Sequence, residues 1–334
     1  MLPMPDPQRA HGAPSASGAP AGDAPLRART FLAMGTVVSL TVAFPDGHSD
    51  EATDRLDAAS RVIEADFEAL EARFSLFRND SEASALARGV LRLAHASPLM
   101  RGYYAEAVDW RRRTHGAFTA ERPDGVLDLS GLVKGRAIAE AGRSLAALGL
   151  HHWCLNAGGD VLVSGTPTPD PAGASSTDGG GQRATGGRAA RPWLAGIVDP
   201  ADRRTLLGAY PLGDEPSTAA SAAASPAALA DASGAGAGTG EGPATAGTRL
   251  ALATSGSAER GDHIWAVGRG RPEFVQVSVA AADIVTADVL ATAIVAGGRD
   301  MLDLATAQWD VDVLAVTRDG GLLATRGFRA PRAA

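Results

Sequence analysis

Residues 126–163 read VLDLSGLVKGRAIAEAGRSLAALGLHHWCLNAGGDVLV, and the rest of the chain is organised around them. Val126 and Leu127 form a short apolar strand end, Asp128 follows, and Ser130-Gly131 makes a turn. The spacing of Val133, Ala137, Ala141, Leu145 and Leu148 gives one apolar face and predicts a helix over about residues 132–148. Gly149 sits where a left-handed glycine closes a helix. Two strands are expected beyond it, at 153–155 and 160–163, joined by the turn Asn156-Ala157-Gly158-Gly159.

The helix start carries the chemistry. Ser130 and Gly131 place backbone N–H groups at a helix N-terminus, where an anion is favoured. Gly131 and Gly135 have no Cβ, so a ligand could approach the main chain closely. Lys134 adds a point charge suited to a phosphate or ribityl oxygen. Asp128 can accept from a base, ribityl or adenine group. By spacing alone, the same residues fit a Ser-capped helix with a solvated lysine equally well.

Composition excludes several classes. The chain has 334 residues, a net charge of −7 and 45% hydrophobic residues, enough for one large or two ordinary domains with a core. No Lys/Arg stripe is present, so no nucleic-acid partner is expected, and Arg111-Arg112-Arg113 reads as a solvated helix end. No apolar run reaches the roughly 18 residues that span a bilayer. The first 25 residues lack the apolar centre of a signal peptide. No membrane anchor and a cytoplasmic location are therefore expected. The single Cys154 falls inside a predicted strand and reads as a buried structural thiol.

Working outward, residues 1–26 are Pro/Ala/Gly-rich and are expected to form a disordered tail, with order from about Thr30. Residues 36–44 alternate as a strand. Ser49 or Asp50 caps a helix to about Phe74 with Leu56, Ala59, Ile63, Phe67, Leu70 and Phe74 on one face. Residues 81–88 fit a short helix, and Ser97-Pro98 starts another, with Leu99, Tyr103, Ala107 and Trp110 on its buried face. Residues 166–191 and 213–247 are runs of Gly, Ala, Ser, Thr and Pro that read as low-complexity insertions, with an alanine helix conceivable at 219–230. Strands are expected at 193–198, 206–212, 250–256 and 274–279, then a helix from Thr286 or Ala287 that stops at Gly297-Gly298, and a closing hairpin over 312–325.

Two further sets of residues bear on function. Asp288 and Thr292 are four apart on a predicted helix and share a face. With a nearby carbonyl they make a hard-oxygen set suited to Mg²⁺, or else a helix-start acid and a threonine bonded back to the main chain. His263, beside Ile264 and Trp265, could act as a base near neutral pH or simply start a strand. No HExxH, CxxC, Walker A, GxSxG or dinucleotide fingerprint is present.

Taken in order, the blocks resemble one family, the ApbE-type flavin transferases (FAD:protein FMN transferases). They are Met34-Gly35-Thr36, residues 74–82 (FSLFRNDSE), Gly116-Ala117-Phe118, residues 127–135 (LDLSGLVKG), residues 156–160 (NAGGD), residues 253–256 (ATSG), His263-Ile264 and residues 287–293 (ADVLATA). The resemblance implies an α+β fold of two packed α/β lobes with a cleft for FAD, occupying residues 27–330. It implies that Met34, Phe77, Ala117, Phe118, Thr119, Asp128, Lys134 and Ile264 line the FAD site. The Gly131 carbonyl, Asp288 and Thr292 would hold Mg²⁺, and His263 and Asp288 are the catalytic candidates. The implied reaction joins FMN from FAD to a Ser/Thr of an acceptor protein by a phosphoester and releases AMP; a flavin-binding module or FAD pyrophosphatase is the alternative. The chain departs from the family's pattern at Thr119, where an acid is usual, and at Trp265-Ala266-Val267, where an aspartate and a proline are usual.

Overall fold

The computed structural model describes residues 26–45, 49–168, 191–213, 248–256 and 271–329. Most of the two insertions and of the N-terminal tail, the conceivable helix at 219–230, His263 and Ile264 lie outside the described residues.

The frame is an eight-stranded antiparallel sheet in the order β1-β2-β3-β4-β7-β8-β9-β10. Its strands are β1 (Leu26–Ala33), β2 (Thr36–Ala43), β3 (Trp153–Ala157), β4 (Asp160–Ser164), β7 (Ala251–Gly256), β8 (Phe274–Ala281), β9 (Asp312–Thr317) and β10 (Leu322–Ala324). A separate two-stranded sheet pairs β5 (Trp193–Val198) with β6 (Leu206–Leu212). The helices are α1 (Asp50–Phe74), α2 (Glu82–Ala87), α3 (Pro98–Arg113), α4 (Ser130–Ala147), α5 (Ile284–Gln308) and α6 (Arg326–Arg329).

Period-2 alternation places the sheet between two cores. In β8, Val277 and Val279 belong to the helix-side core with Leu56, Phe67, Ile138 and Leu290, whereas Ala280 faces the other way. In β4, Val161 and Val163 pack with Trp193, Ile197 and Tyr210 of the small sheet, while Leu162 turns to the helices. The fold class is thus the expected mixture of α and β.

Local chemistry sets the element ends. Ser49 Oγ accepts the Ala52 N–H at 3.1 Å and starts α1; Ser97 Oγ accepts that of Met100 at 3.1 Å and starts α3 ahead of Pro98. Met34 (φ +51°) and Gly35 (φ +72°) form the two-residue turn of the β1–β2 hairpin. Gly158 and Gly159, both with positive φ, do the same for β3–β4.

Three expectations need correction. β1 starts at Leu26, ahead of the expected Thr30: it has arginines at 27 and 29 and buries little, which hides it from a periodicity reading. Asp283, not Thr286, starts α5, because its carboxylate accepts the Thr286 N–H at 2.8 Å. The expected stop at Gly297-Gly298 falls at a real break, since Gly298 (φ +63°, ψ −148°) is not helical, but a further helical segment not expected from the sequence follows to Gln308, where Met301 and Ala305 still face the core.

Candidate functional site

The site forms where α4 and α5 cross. Gly135 is the contact: a Cβ there would lie 3.2 Å from Asp288 Oδ2 and 3.3 Å from both Asp288 Cβ and Val285 Cα. Its missing side chain therefore admits a neighbouring helix, not a ligand, and sets Asp288 against the backbone of α4. Gly131, one turn earlier, faces Phe118; a Cβ there would come 3.3 Å from the ring. Lys134, one turn on from Gly131, shares the cleft with it.

The start of α4 differs from the expected serine cap. Leu129 is the cap residue and makes no side-chain bond; Ser130 is already helical, and its N–H is taken by Asp128 Oδ1 at 2.9 Å. Asp128 thus tightens the turn while it lines the cleft.

The cavity at this crossing holds about 210 Å³. That is below the roughly 300–1,000 Å³ usual for sites that enclose a whole drug-sized ligand, so it suits part of an extended dinucleotide. Ala117, Phe118, Thr119, Asp128, Gly131, Lys134, Asp288 and Thr292 all line it. Residues from two helices that are far apart in sequence, with 157 positions between Gly131 and Asp288, thus meet on one surface. Met34 and Phe77 are not on that surface: the Met34 N–H donates to Glu71 Oε2 at 2.8 Å in the hairpin turn, and the Phe77 side chain is fully exposed.

Several lining groups were not foreseen. Thr36 comes from the start of β2. Gly196 to Pro200 and Arg203 form a wall from the small sheet and its turn, tied to the main sheet by Gln276 Nε2, which donates to the Val198 carbonyl at 2.9 Å. Ser255 Oγ lies 3.0 Å from Thr292 Oγ1, so the two hydroxyls share a hydrogen bond. Behind the surface is Asp160, fully buried, whose Oδ1 accepts the Thr254 N–H at 3.0 Å. Its Oδ2 is 2.5 Å from Lys134 Nζ, which lies 3.7 Å from Asp288 Oδ1. The available signal for Asp160 was its place directly after the Gly-Gly turn.

No group of three or more His, Cys, Asp or Glu side chains capable of holding a metal occurs among the described residues. What the cleft offers a cation is one buried carboxylate, Asp288, the paired hydroxyls of Thr292 and Ser255, and the less buried carboxylates of Asp128 and Asp199. Such an all-oxygen set fits a hard cation that keeps several of its waters, and does not fit zinc.

The arrangement defines a class: a mixed α/β protein with a helix start, a lysine and an acid–hydroxyl pair in one cleft. The model of the ApbE family matches residues 119–226, about a third of the chain, which bears out the resemblance read from the sequence. No curated protein matches the chain. Among solved structures, the flavin transferase ApbE from Vibrio cholerae is 19% identical with a TM-score of 0.60, over 92% of this chain and 99% of that one. The ApbE protein from Thermotoga maritima is 17% identical (TM-score 0.59; 91% and 98%). The flavinyl transferase ApbE from Pseudomonas stutzeri, in its apo form, is 16% identical (TM-score 0.58; 93% and 99%). The fold is that of the ApbE flavin transferases.

Proposed function

We propose that this chain is a Mg²⁺-dependent FAD:protein FMN transferase built as one domain over residues 27–330, with FAD as donor and a protein Ser/Thr as acceptor. The observation that carries the reading is the convergence of Gly131, Lys134, Asp288 and Thr292 on one cleft. The ApbE match and the shared fold support it.

In this reading the start of α4 and Lys134 favour the diphosphate of FAD. The Gly131 carbonyl, Asp288 and Thr292 would hold Mg²⁺, with Ser255 orienting the Thr292 hydroxyl. Bound there, the cation supplies Lewis-acid stabilisation of charge growing on the phosphoryl oxygens. Ala117, Phe118, Thr119 and Asp128 flank the flavin nucleotide. Met34, Phe77 and Ile264 are assigned to the FAD site on the family resemblance alone. The acceptor hydroxyl attacks the phosphorus of the FMN half, the bond to the bridging oxygen breaks, and AMP leaves. Asp288 or His263 takes the hydroxyl proton. No described helix is long and apolar enough to cross a membrane, and we place the enzyme in the cytoplasm.

The test is incubation with FAD, Mg²⁺ and a flavin-acceptor protein. Fluorescence that stays on the acceptor after denaturation is the expected result, with loss on EDTA treatment and in Asp288→Ala. FMN appearing only in solution would replace transfer by FAD hydrolysis. An Asp288→Ala variant with full turnover would overturn the cation assignment.

A further inference from the structure

The small sheet has an edge that borders the cleft, and among the described residues β5 pairs with β6 alone. Three observations fix which main-chain groups of β5 face away from β6. The Val198 carbonyl accepts from Gln276 Nε2 of β8 at 2.9 Å, so it points out of the pair. The next N–H, that of Asp199, turns back to the Thr205 carbonyl at 2.9 Å. Leu194 stands opposite Pro211, which has no N–H to give, so these two cannot exchange both bonds of a hydrogen-bonded pair. Alternation along an antiparallel strand then sends the N–H and C=O of Leu194 and Gly196 outward, on the same side as the Val198 carbonyl. Gly196 is exposed and lines the cleft wall, and Leu194, 66% exposed, lies two residues back along the same edge. No positive φ requires glycine at 196, and a Cβ there would come no closer than 3.4 Å to Leu206. A strand glycine with neither a backbone nor a packing reason marks a place where another backbone comes close. Residues 193–198, WLAGIV, also carry neither a charge nor a proline, the residues that ordinarily guard an edge.

We infer that this edge is where the acceptor docks: an extended segment of the acceptor protein adds to β5 as a further strand, pairs with the main chain of Leu194 and Gly196, and carries its Ser or Thr into the cleft. The inference rests on the proposed transfer to a protein, which requires a stretch of polypeptide at this wall. Main-chain bonds supply the affinity in such strand addition, and side chains along the added strand supply the preference. The outer face beside the edge is an uncharged stripe of Leu194, Gly196, Val198 and Leu206. It fits a segment whose paired positions are uncharged, because a charge laid against it would lose water without gaining a partner.

The experiment uses the full chain with FAD, Mg²⁺ and a flavin-acceptor protein. Hydrogen exchange is followed by mass spectrometry, with the acceptor's target Ser or Thr replaced by valine so that the complex does not turn over. Exchange at residues 194 and 196 of the parent should slow by about tenfold or more when this acceptor is added. Exchange that the acceptor leaves unchanged overturns the inference. So does protection already present without it, which means that this chain or a second copy covers the edge. In steady-state transfer, Leu194→Pro and Gly196→Pro each delete one edge N–H at positions where an edge strand tolerates proline. Each should raise the acceptor KM about tenfold, the loss that goes with one hydrogen bond, and raise it several times more than the KM for FAD. Leu194→Ala, which keeps the N–H, should raise the acceptor KM several times less than Leu194→Pro does. Equal effects on both KM values, or an alanine effect as large as that of proline, overturn the main-chain pairing. Should a proline variant fail to fold, as read by thermal unfolding, the exchange result decides. A parent that binds FAD but labels no acceptor would instead overturn the transferase reading beneath the inference.

Discussion

Replacing Gly135 by alanine tests whether the crossing of α4 and α5 sets the site. Two effects oppose each other. Alanine is favoured over glycine inside a helix by about 1 kcal/mol. Against that, the new methyl would lie 3.2–3.3 Å from Asp288 and from the Val285 backbone, and overpacking of this kind costs about 1–3 kcal/mol. The net change in stability is a loss of about 0–2 kcal/mol, or at most about 8 °C in melting temperature for a domain of this size. The functional effect is expected to be larger. The neighbour that must yield is Asp288 itself, by a few tenths of an ångström, and on the proposed function even part of the hundredfold rate loss that goes with a misplacement of about 1 Å would show. Gly135→Ala should therefore lose tenfold or more in Mn²⁺ affinity and in FAD turnover while remaining folded, as read by thermal unfolding and fluorescence of the labelled acceptor. A variant that melts higher than the parent and keeps both properties within twofold would refute the claim that this contact positions Asp288.

Other expectations follow from the same structure. Burial pushes the Cys154 thiol up to about 12, so it should resist Ellman's reagent in the native protein at pH 8 and react promptly once the chain is unfolded. Arg249, 8% exposed, binds Asp310 through both terminal nitrogens and Asp312 through Nε. Arg249→Ala should cost about 2–4 kcal/mol, measured by urea unfolding, part of it from the charge left on half-buried Asp312. Burial first, and then the neighbouring His151, hold His152 below the ordinary histidine range. A lowered folded-state value adds stability above about pH 6.5 that is lost as pH falls through the folded value. His152→Gln should flatten the stability–pH curve on that acid side and leave it unchanged at pH 8.

The helices were legible where their signals are local. Ser49 and Ser97 cap as their positions suggest, and the apolar face of α1 follows from residue spacing; that of α3 does so at Tyr103, Ala107 and Trp110, but Met100 is buried in place of the expected Leu99, which is exposed. The meeting of Gly131 with Asp288 and Thr292 could be named only through the family resemblance, because no local rule links positions 157 and 161 residues apart. Gly135 was noticed as a glycine but given the wrong neighbour: whether a missing Cβ admits a ligand or a helix depends on the tertiary crossing. Asp160 was quoted only as the end of the Gly-Gly block and given no role, since an acid at a strand start is usually solvated and only the fold shows this one enclosed against a lysine. The second half of α5 was lost because two glycines resemble a stop, whereas burial of Met301 and Ala305 carries the helix past the kink. The wall from Gly196 to Arg203 had no motif at all; it reaches the cleft because the small sheet packs across β4, β7 and β8.

In the main sheet β4 and β7 lie side by side, although residues 165–250 run between them. The small sheet and both Ala/Gly-rich segments therefore make one excursion that leaves and rejoins the core at a single seam, Val161 opposite Leu252. The partners of that seam are held by β3 on one side and β8 on the other. Residues gained or lost in either segment need not move a core strand, which makes this loop-out the natural place to splice in a reporter or a tether, provided the small sheet between the segments keeps its place as a wall of the cleft.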